Sequence, residues 1–211
     1  GNHLVKLNPS SSSVLWGTFI QGTTYSGTWP DFASCLALDG SGNLFMGFRG
    51  MYSSNFPVTF LSGAYNQSTR NSTTGGDGGL VKFSSAGAKL WGTYLNGSSH
   101  PTTTTAVNDI DVYPDNTFII IGNTACSDFP IVNLSGSYNK STITTAGTTE
   151  GFISKFGTDC AMDWSTYFPI GYGYGAITST DCDVRYVVDN SGGTNVPLVN
   201  PGSPAYYSST V

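Results

Sequence analysis

The stretch Leu80-Val81-Lys82-Phe83-Ser84-Ser85-Ala86-Gly87-Ala88-Lys89-Leu90-Trp91-Gly92-Thr93-Tyr94 decides how this chain is read. Leu80 and Lys82 alternate with Val81 and Phe83, and the alternation resumes at Leu90; that is the period of a strand, not of a helix. Ser, Gly and Ala between the two runs suit a turn. The stretch is therefore predicted to be a β-hairpin. It appears three times. Near the start it is Leu4-Val5-Lys6-Leu7 followed by Leu15-Trp16-Gly17-Thr18-Phe19. Later it is Phe152-Ile153-Ser154-Lys155-Phe156 followed by Asp163-Trp164-Ser165-Thr166-Tyr167.

Several markers keep one register. Trp16, Trp91 and Trp164 are separated by 75 and 73 residues, and Lys6, Lys82 and Lys155 by 76 and 73. Asn55-Phe56-Pro57 recurs as Asp128-Phe129-Pro130 and, more weakly, as Asn195-Val196-Pro197. Tyr65 and Tyr138 each stand eight residues beyond the proline, and Tyr206 nine beyond the third. The chain thus divides into repeats at 1–78 and 79–150 and a shorter one at 151–211. Each repeat reads as four strands and a long link. The strands are expected near 3–7, 14–20, 33–38 and 43–48, then 79–83, 89–95, 107–113 and 117–122, then 151–156, 163–168, 175–180 and 184–188. Asp39-Gly40-Ser41-Gly42-Asn43 and Asp115-Asn116 are the predicted tips of the second hairpins, and Asp181-Cys182-Asp183 is the third, shortened tip. Four antiparallel strands in roughly 40–50 residues are the sequence form of a propeller blade. The expected fold is all-β, built of propeller-like four-stranded antiparallel blades. Runs such as Phe118-Ile119-Ile120-Ile121 suit strands covered on both faces.

Composition agrees. Charged residues make up 10% of the chain, well below the ~25% of ordinary soluble domains, and Gly, Ser, Thr and Asn take their place. A net charge of -5 argues against a nucleic-acid partner, which needs clustered Lys and Arg. No apolar run approaches ~18 residues, so no membrane span is expected. Gly1-Asn2-His3-Leu4 does not read as a signal peptide; removal of a leader and a longer parent chain both fit. Cys35, Cys126, Cys160 and Cys182 match no zinc spacing. They read either as one or two disulfides, with three ways to pair four, or as buried thiols.

Residues that could carry chemistry are few. The histidines are His3 and His100 and the only glutamate is Glu150, a thin supply for general acid–base work. Asp39 to Asn43 superficially resembles a calcium loop, and the plain hairpin is the preferred reading. Gly75-Gly76-Asp77-Gly78-Gly79 has no Lys-[Ser/Thr] after it and reads as an entry to the next strand, not an anion cradle. Trp16, Trp91 and Trp164, like Phe56-Pro57 and Phe129-Pro130, read as the packing elements of the repeat. The rival reading of the indoles is a set of sugar-stacking rings. Lys6, Lys82 and Lys155 are expected to snorkel or to pair with a neighbouring Asp. Trp29 lies outside the repeat, in a Gly/Thr-rich loop. With Tyr172 and Tyr174 it forms the candidate contact surface; burial under the next blade is the competing reading. No cofactor or metal is implied.

The combination Asp77-Gly78-Gly79-Leu80-Val81-Lys82-Phe83, Trp91-Gly92-Thr93-Tyr94, Leu38-Asp39-Gly40-Ser41-Gly42-Asn43-Leu44-Phe45-Met46-Gly47 and Asn55-Phe56-Pro57 resembles the bacterial β-propeller repeat called SBBP. The likeness runs over nearly the whole chain. It departs in the third repeat, where Val196 replaces the Phe before Pro and the Gly-Asn turn is shortened. The resemblance implies a secreted or cell-surface protein, gliding-associated or adhesin-like, with no family-wide catalytic residues. Three blades do not close a ring, since closed propellers have ~4–8. The expected partners are neighbouring blades, from a longer chain or from other copies in an oligomer or filament. The expected function is a non-catalytic structural or adhesive module. The alternative is a carbohydrate-binding propeller. A remoter one is a glycan hydrolase using Asp109 and Asp111, which share a strand face.

Overall fold

The computed structural model of the chain describes residues 1–25, 29–99, 102–144, 147–169, 176–179 and 185–188, with twelve strands and no helix among them. The strands are β1 (Asn2–Leu7), β2 (Val14–Ile20), β3 (Phe32–Leu38), β4 (Leu44–Met51), β5 (Asp77–Phe83), β6 (Lys89–Leu95), β7 (Ala106–Val112), β8 (Phe118–Thr124), β9 (Glu150–Phe156), β10 (Met162–Phe168), β11 (Ala176–Ser179) and β12 (Arg185–Val188). Each lies within a few residues of its expected place. All strand pairs are antiparallel. No described helix is long and apolar enough to cross a membrane.

The β5-β6 and β9-β10 hairpins close through five-residue turns of one geometry. Ser84 N donates to Ala88 O and Gly87 N to Ser84 O; Gly157 with Ala161 and Cys160 with Gly157 repeat the pattern. The fourth turn residue has positive φ: 90° at Gly87 and 64° at Cys160. Glycine takes that conformation without a Cβ clash, while Cys160 holds it at some strain. At the other class of tip, Gly42 (φ 75°) and Asn116 (φ 65°) fill the same role. Asn there is the residue best suited after glycine.

Sheet membership differs from the sequence repeat. One four-stranded sheet runs β3-β4-β5-β6 and the other β7-β8-β9-β10, with β1-β2 and β11-β12 as two-stranded pairs. The last two strands of one repeat therefore pair with the first two of the next. The join is β4 to β5, with Met46 opposite Val81 and Gly47 opposite Leu80. The same join recurs at β8 and β9, with Ile120 opposite Ser154. The reason lies in the links. From β4 the chain passes outside β6 before returning to start β5. On the way Thr59 bridges to Gly92, and Tyr94 N donates to Gln67 O. The second link does the same to β10, through Val132 with Ser165 and Tyr167 N with Lys140 O. Each link so covers the open edge of an outer strand, an edge that would otherwise be free to pair.

Three apolar layers lie between the sheets. Leu4 and Ile20 of β1-β2 meet Met46, Phe48, Val81 and Tyr94. The largest layer joins Phe45, Leu80 and Trp91 of one sheet to Ile110, Phe118, Phe152 and Phe156 of the next. Ile177 of β11 meets Tyr113, Ile119, Ile121 and Ile153. Central strands are buried on both faces because each faces a layer on either side; this is why β4, β5, β8 and β9 read as apolar runs rather than clean alternations.

Candidate functional site

Two features are built well enough to carry function: the anchored links and an aromatic groove beside Trp29.

Each link is fastened by the same set of contacts. Tyr94 Oη donates to Ser53 O at 2.7 Å and accepts from Phe56 N at 3.0 Å. Tyr167 Oη does the same with Cys126 O at 2.6 Å and Phe129 N at 3.2 Å. Burial pushes the Tyr167 phenol up to about 12, so it stays a neutral donor. Phe56 and Phe129 are buried beneath their links, beside Pro57 and Pro130. Trp91 Nε1 donates to Tyr65 O at 3.0 Å and Trp164 Nε1 to Tyr138 O at 3.1 Å. The eight-residue spacing from Pro to Tyr thus delivers a carbonyl to the next indole. Asn66 and Asn139 each close a turn by donating to two carbonyls and accepting one amide.

Carboxylates complete the anchoring. Asp77, fully buried, accepts from Asn71 N, Ser72 N, Gln67 Nε2 and Asn96 Nδ2. Glu150, at the same place in the next repeat, accepts from Thr144 N and Lys140 Nζ. The Gly-Asp-Gly run is an anchored strand start, and the one glutamate serves as an anchor. Burial works to raise the Asp128 carboxyl. Hydrogen bonds from the hydroxyl and amide of Ser98 and the amide of Ser99 outweigh it and hold the group well below the usual range. The same balance lowers Asp39, where Asn43 and Ser41 donate and Lys82 lies 3.7 Å away.

The repeated lysines keep their place and change partner. Lys82 pairs with Asp39 and sits over the Phe45 ring at 4.6 Å. Lys155 lies over the Tyr113 ring at 5.6 Å; Tyr113 begins the turn that Asp39 begins in the other sheet. Lys6 donates to Ser85 O. Asp109 Oδ2 accepts from Ile177 N at 2.9 Å, so this carboxylate braces β11 against β7. Asp111 accepts from Val112 N. Among the described residues, no three His, Cys, Asp or Glu side chains converge as metal ligands. Cys35, Cys126 and Cys160 are thiols rather than disulfides. Burial pushes those of Cys35 and Cys160 up to about 11, which keeps them protonated and slow to react. Cys182 and His100 lie outside the described residues.

Trp29 is 60% exposed, so it is not covered by a neighbouring sheet. Its ring lies 6.3 Å from Phe32, which meets Tyr52 edge-on at 6.3 Å. These three rings, with Arg49, Thr104 and Asn123, line a groove of 440 Å³. Tyr52 Oη is 3.0 Å from Thr104 Oγ1. Tyr172 and Tyr174, the other candidate contact residues, lie outside the described residues. Phe32, Arg49 and Tyr52 were not apparent from the sequence. Their only signal is that the second repeat has no matching aromatic cluster there.

No protein-family model matches this chain, and no curated protein matches it.

Proposed function

We propose that this chain is a non-catalytic structural or adhesive β-repeat module of a secreted or cell-surface bacterial protein or extracellular assembly, its sheets acting as propeller-like blades. The observation that carries this reading is the duplicated anchoring of the links. Tyr94 and Tyr167, Trp91 and Trp164, Asp77 and Glu150 spend their polar groups on holding long polar loops in one conformation. Such loops on a stiff scaffold form a presentation surface. The direct experiment coats beads with the purified chain and measures attachment to cells and glycan-bearing surfaces, beside turnover on a polysaccharide panel. Attachment without turnover is expected. Turnover abolished by Asp109→Asn with folding intact contradicts the reading and favours a hydrolase.

The Trp29 groove favours a second reading, a carbohydrate-binding propeller. Flat exposed rings beside Arg49 and Asn123 offer stacking and hydrogen bonding together. Binding on a glycan array that Trp29→Ala abolishes supports it, and silence across a broad array removes it.

A further inference from the structure

β4 has 8 residues where β8 has 7, and the extra one is Arg49. Against β5, Phe48 stands opposite Gly79 and Met51 opposite Asp77, so Arg49 and Gly50 together take the place across from Gly78. Against β3, Phe32 stands opposite Gly50 and Ala33 opposite Phe48, which skips Arg49. In the other sheet β8 runs against β9 without a break: Gly122 opposite Phe152, Asn123 opposite Gly151, Thr124 opposite Glu150. Arg49 is therefore the inserted residue of a β-bulge. Bulges re-aim side chains, and this one puts an exposed arginine on the wall of the Trp29 groove.

The rings beside it also depart from the repeat. By register the counterpart of Phe32 is Ala106, because they stand opposite Gly50 and Asn123. Ala106 is 3% exposed; Phe32 is 39% exposed and meets Trp29 and Tyr52. Tyr52 is held in place. A Cβ at Gly50 would fall 2.6 Å from its ring and one at Gly76 3.0 Å from it. Its hydroxyl and that of Thr104, 3.0 Å apart, can each donate, so the pair offers a ligand either a donor or an acceptor. Asn123 Oδ1 accepts from Asn108 Nδ2 at 3.1 Å, which leaves Asn123 Nδ2 to donate. Neither Arg49 nor Phe32 belongs to the apolar layers between the sheets.

We infer that this groove binds an acidic glycan, with a pyranose ring on the face of Trp29 and the sugar's carboxylate on the guanidinium of Arg49. The inference rests on the carbohydrate-binding reading above and names its ligand class. The volume of 440 Å³ lies within the ~300–1,000 Å³ of small-ligand sites. Trp29, 60% exposed, leaves the groove open on one side, so a bound molecule stays partly in water. A sugar suits that: its C–H face packs on the electron-rich face of a ring, and its hydroxyls stay solvated or meet Asn123 and Thr104. The charge follows from the lining. Arg49 is its one charged residue, and no carboxylate stands beside it there. Asp31, next to Phe32 in the chain, is buried and engaged with Gly22 N and with the amide and hydroxyl of Ser53. On a chain of net charge -5, an anion is drawn only where a cation is placed for it. A guanidinium matches a carboxylate through two parallel hydrogen bonds.

The test is an array of uronate- and sialate-bearing glycans beside their methyl esters, read with the full chain, then calorimetry on the strongest pair. The free acid is expected to bind about ten- to a hundredfold more tightly than its neutral ester. Arg49→Met should bring the acid down to the ester's level, and Trp29→Ala should abolish binding of both. An ester that binds as tightly as the acid, with both lost in Trp29→Ala, overturns the acidic ligand and leaves the carbohydrate reading standing. Silence across the whole array overturns both. A glutamate peptide of equal charge that binds as tightly as the sugar overturns the proposal in favour of a peptide site. Should Arg49→Met unfold, the unaltered chain decides: affinity for the acid that is the same at about 0.05 M and about 0.5 M salt overturns it, and a fall with salt that the ester does not share supports it.

Discussion

One tyrosine hydroxyl anchors the start of each link. Tyr167→Phe removes the acceptor for Phe129 N and the donor to Cys126 O, both in a buried setting. Leaving such groups unpaired costs about 1–3 kcal/mol. An unfolding free energy in urea lowered by that amount, with an unchanged slope, is expected, and Tyr94→Phe should match it. Trp91 is fully buried, and Trp91→Ala should cost about 3–5 kcal/mol. Trp16→Ala should cost clearly less, because its indole is only partly covered and its Nε1 has no partner. The sequence alone marked these indoles and tyrosines as repeat-locked. It did not show their partners, since a bond from Trp91 to Tyr65 depends on how a 26-residue segment folds back. Lys155 illustrates the limit: the lysine was legible, but its partner changed from a carboxylate to the Tyr113 ring.

At the scale of elements, loops are held by carboxylates, and this sets a pH dependence. Asp39, Asp115 and Asp128 are all lowered in the folded chain. A group lowered below its unfolded value, about 3.9 for Asp, stabilises the fold above that value. The contribution is lost as pH falls through the folded value. The melting temperature should therefore hold from pH 7 to about pH 5 and fall below about pH 4. Asp128→Asn should flatten part of that fall; an unaltered acid profile would contradict the role given to the carboxylate. Asp77→Ala strips four donors of their acceptor and should cost on the order of 3 kcal/mol, read from the urea midpoint. The twelve strands were legible because alternating or short apolar runs bounded by turn residues are local signals. The links were not, because their order comes from side chains reaching backbone far along the chain.

Over the whole molecule, the repeat in the sequence and the sheet in space share a period but not a phase. Leu80 to Tyr94 is a hairpin, as its residues indicate, yet it is one half of a four-stranded sheet whose other half is β3-β4. Nothing local distinguishes that arrangement from four consecutive strands closing on themselves. The choice is made by the link, which covers the edge of β6 and leaves β4 beside β5. The groove beside Trp29 was legible by one residue only, because its other rings sit at strand ends. Cross-strand nuclear Overhauser contacts between backbone protons test the arrangement most directly. The account predicts contacts joining Met46 to Val81 and Ile120 to Ser154, the paired positions of β4-β5 and β8-β9. Contacts joining β2 to β3 or β6 to β7 in their place would contradict it.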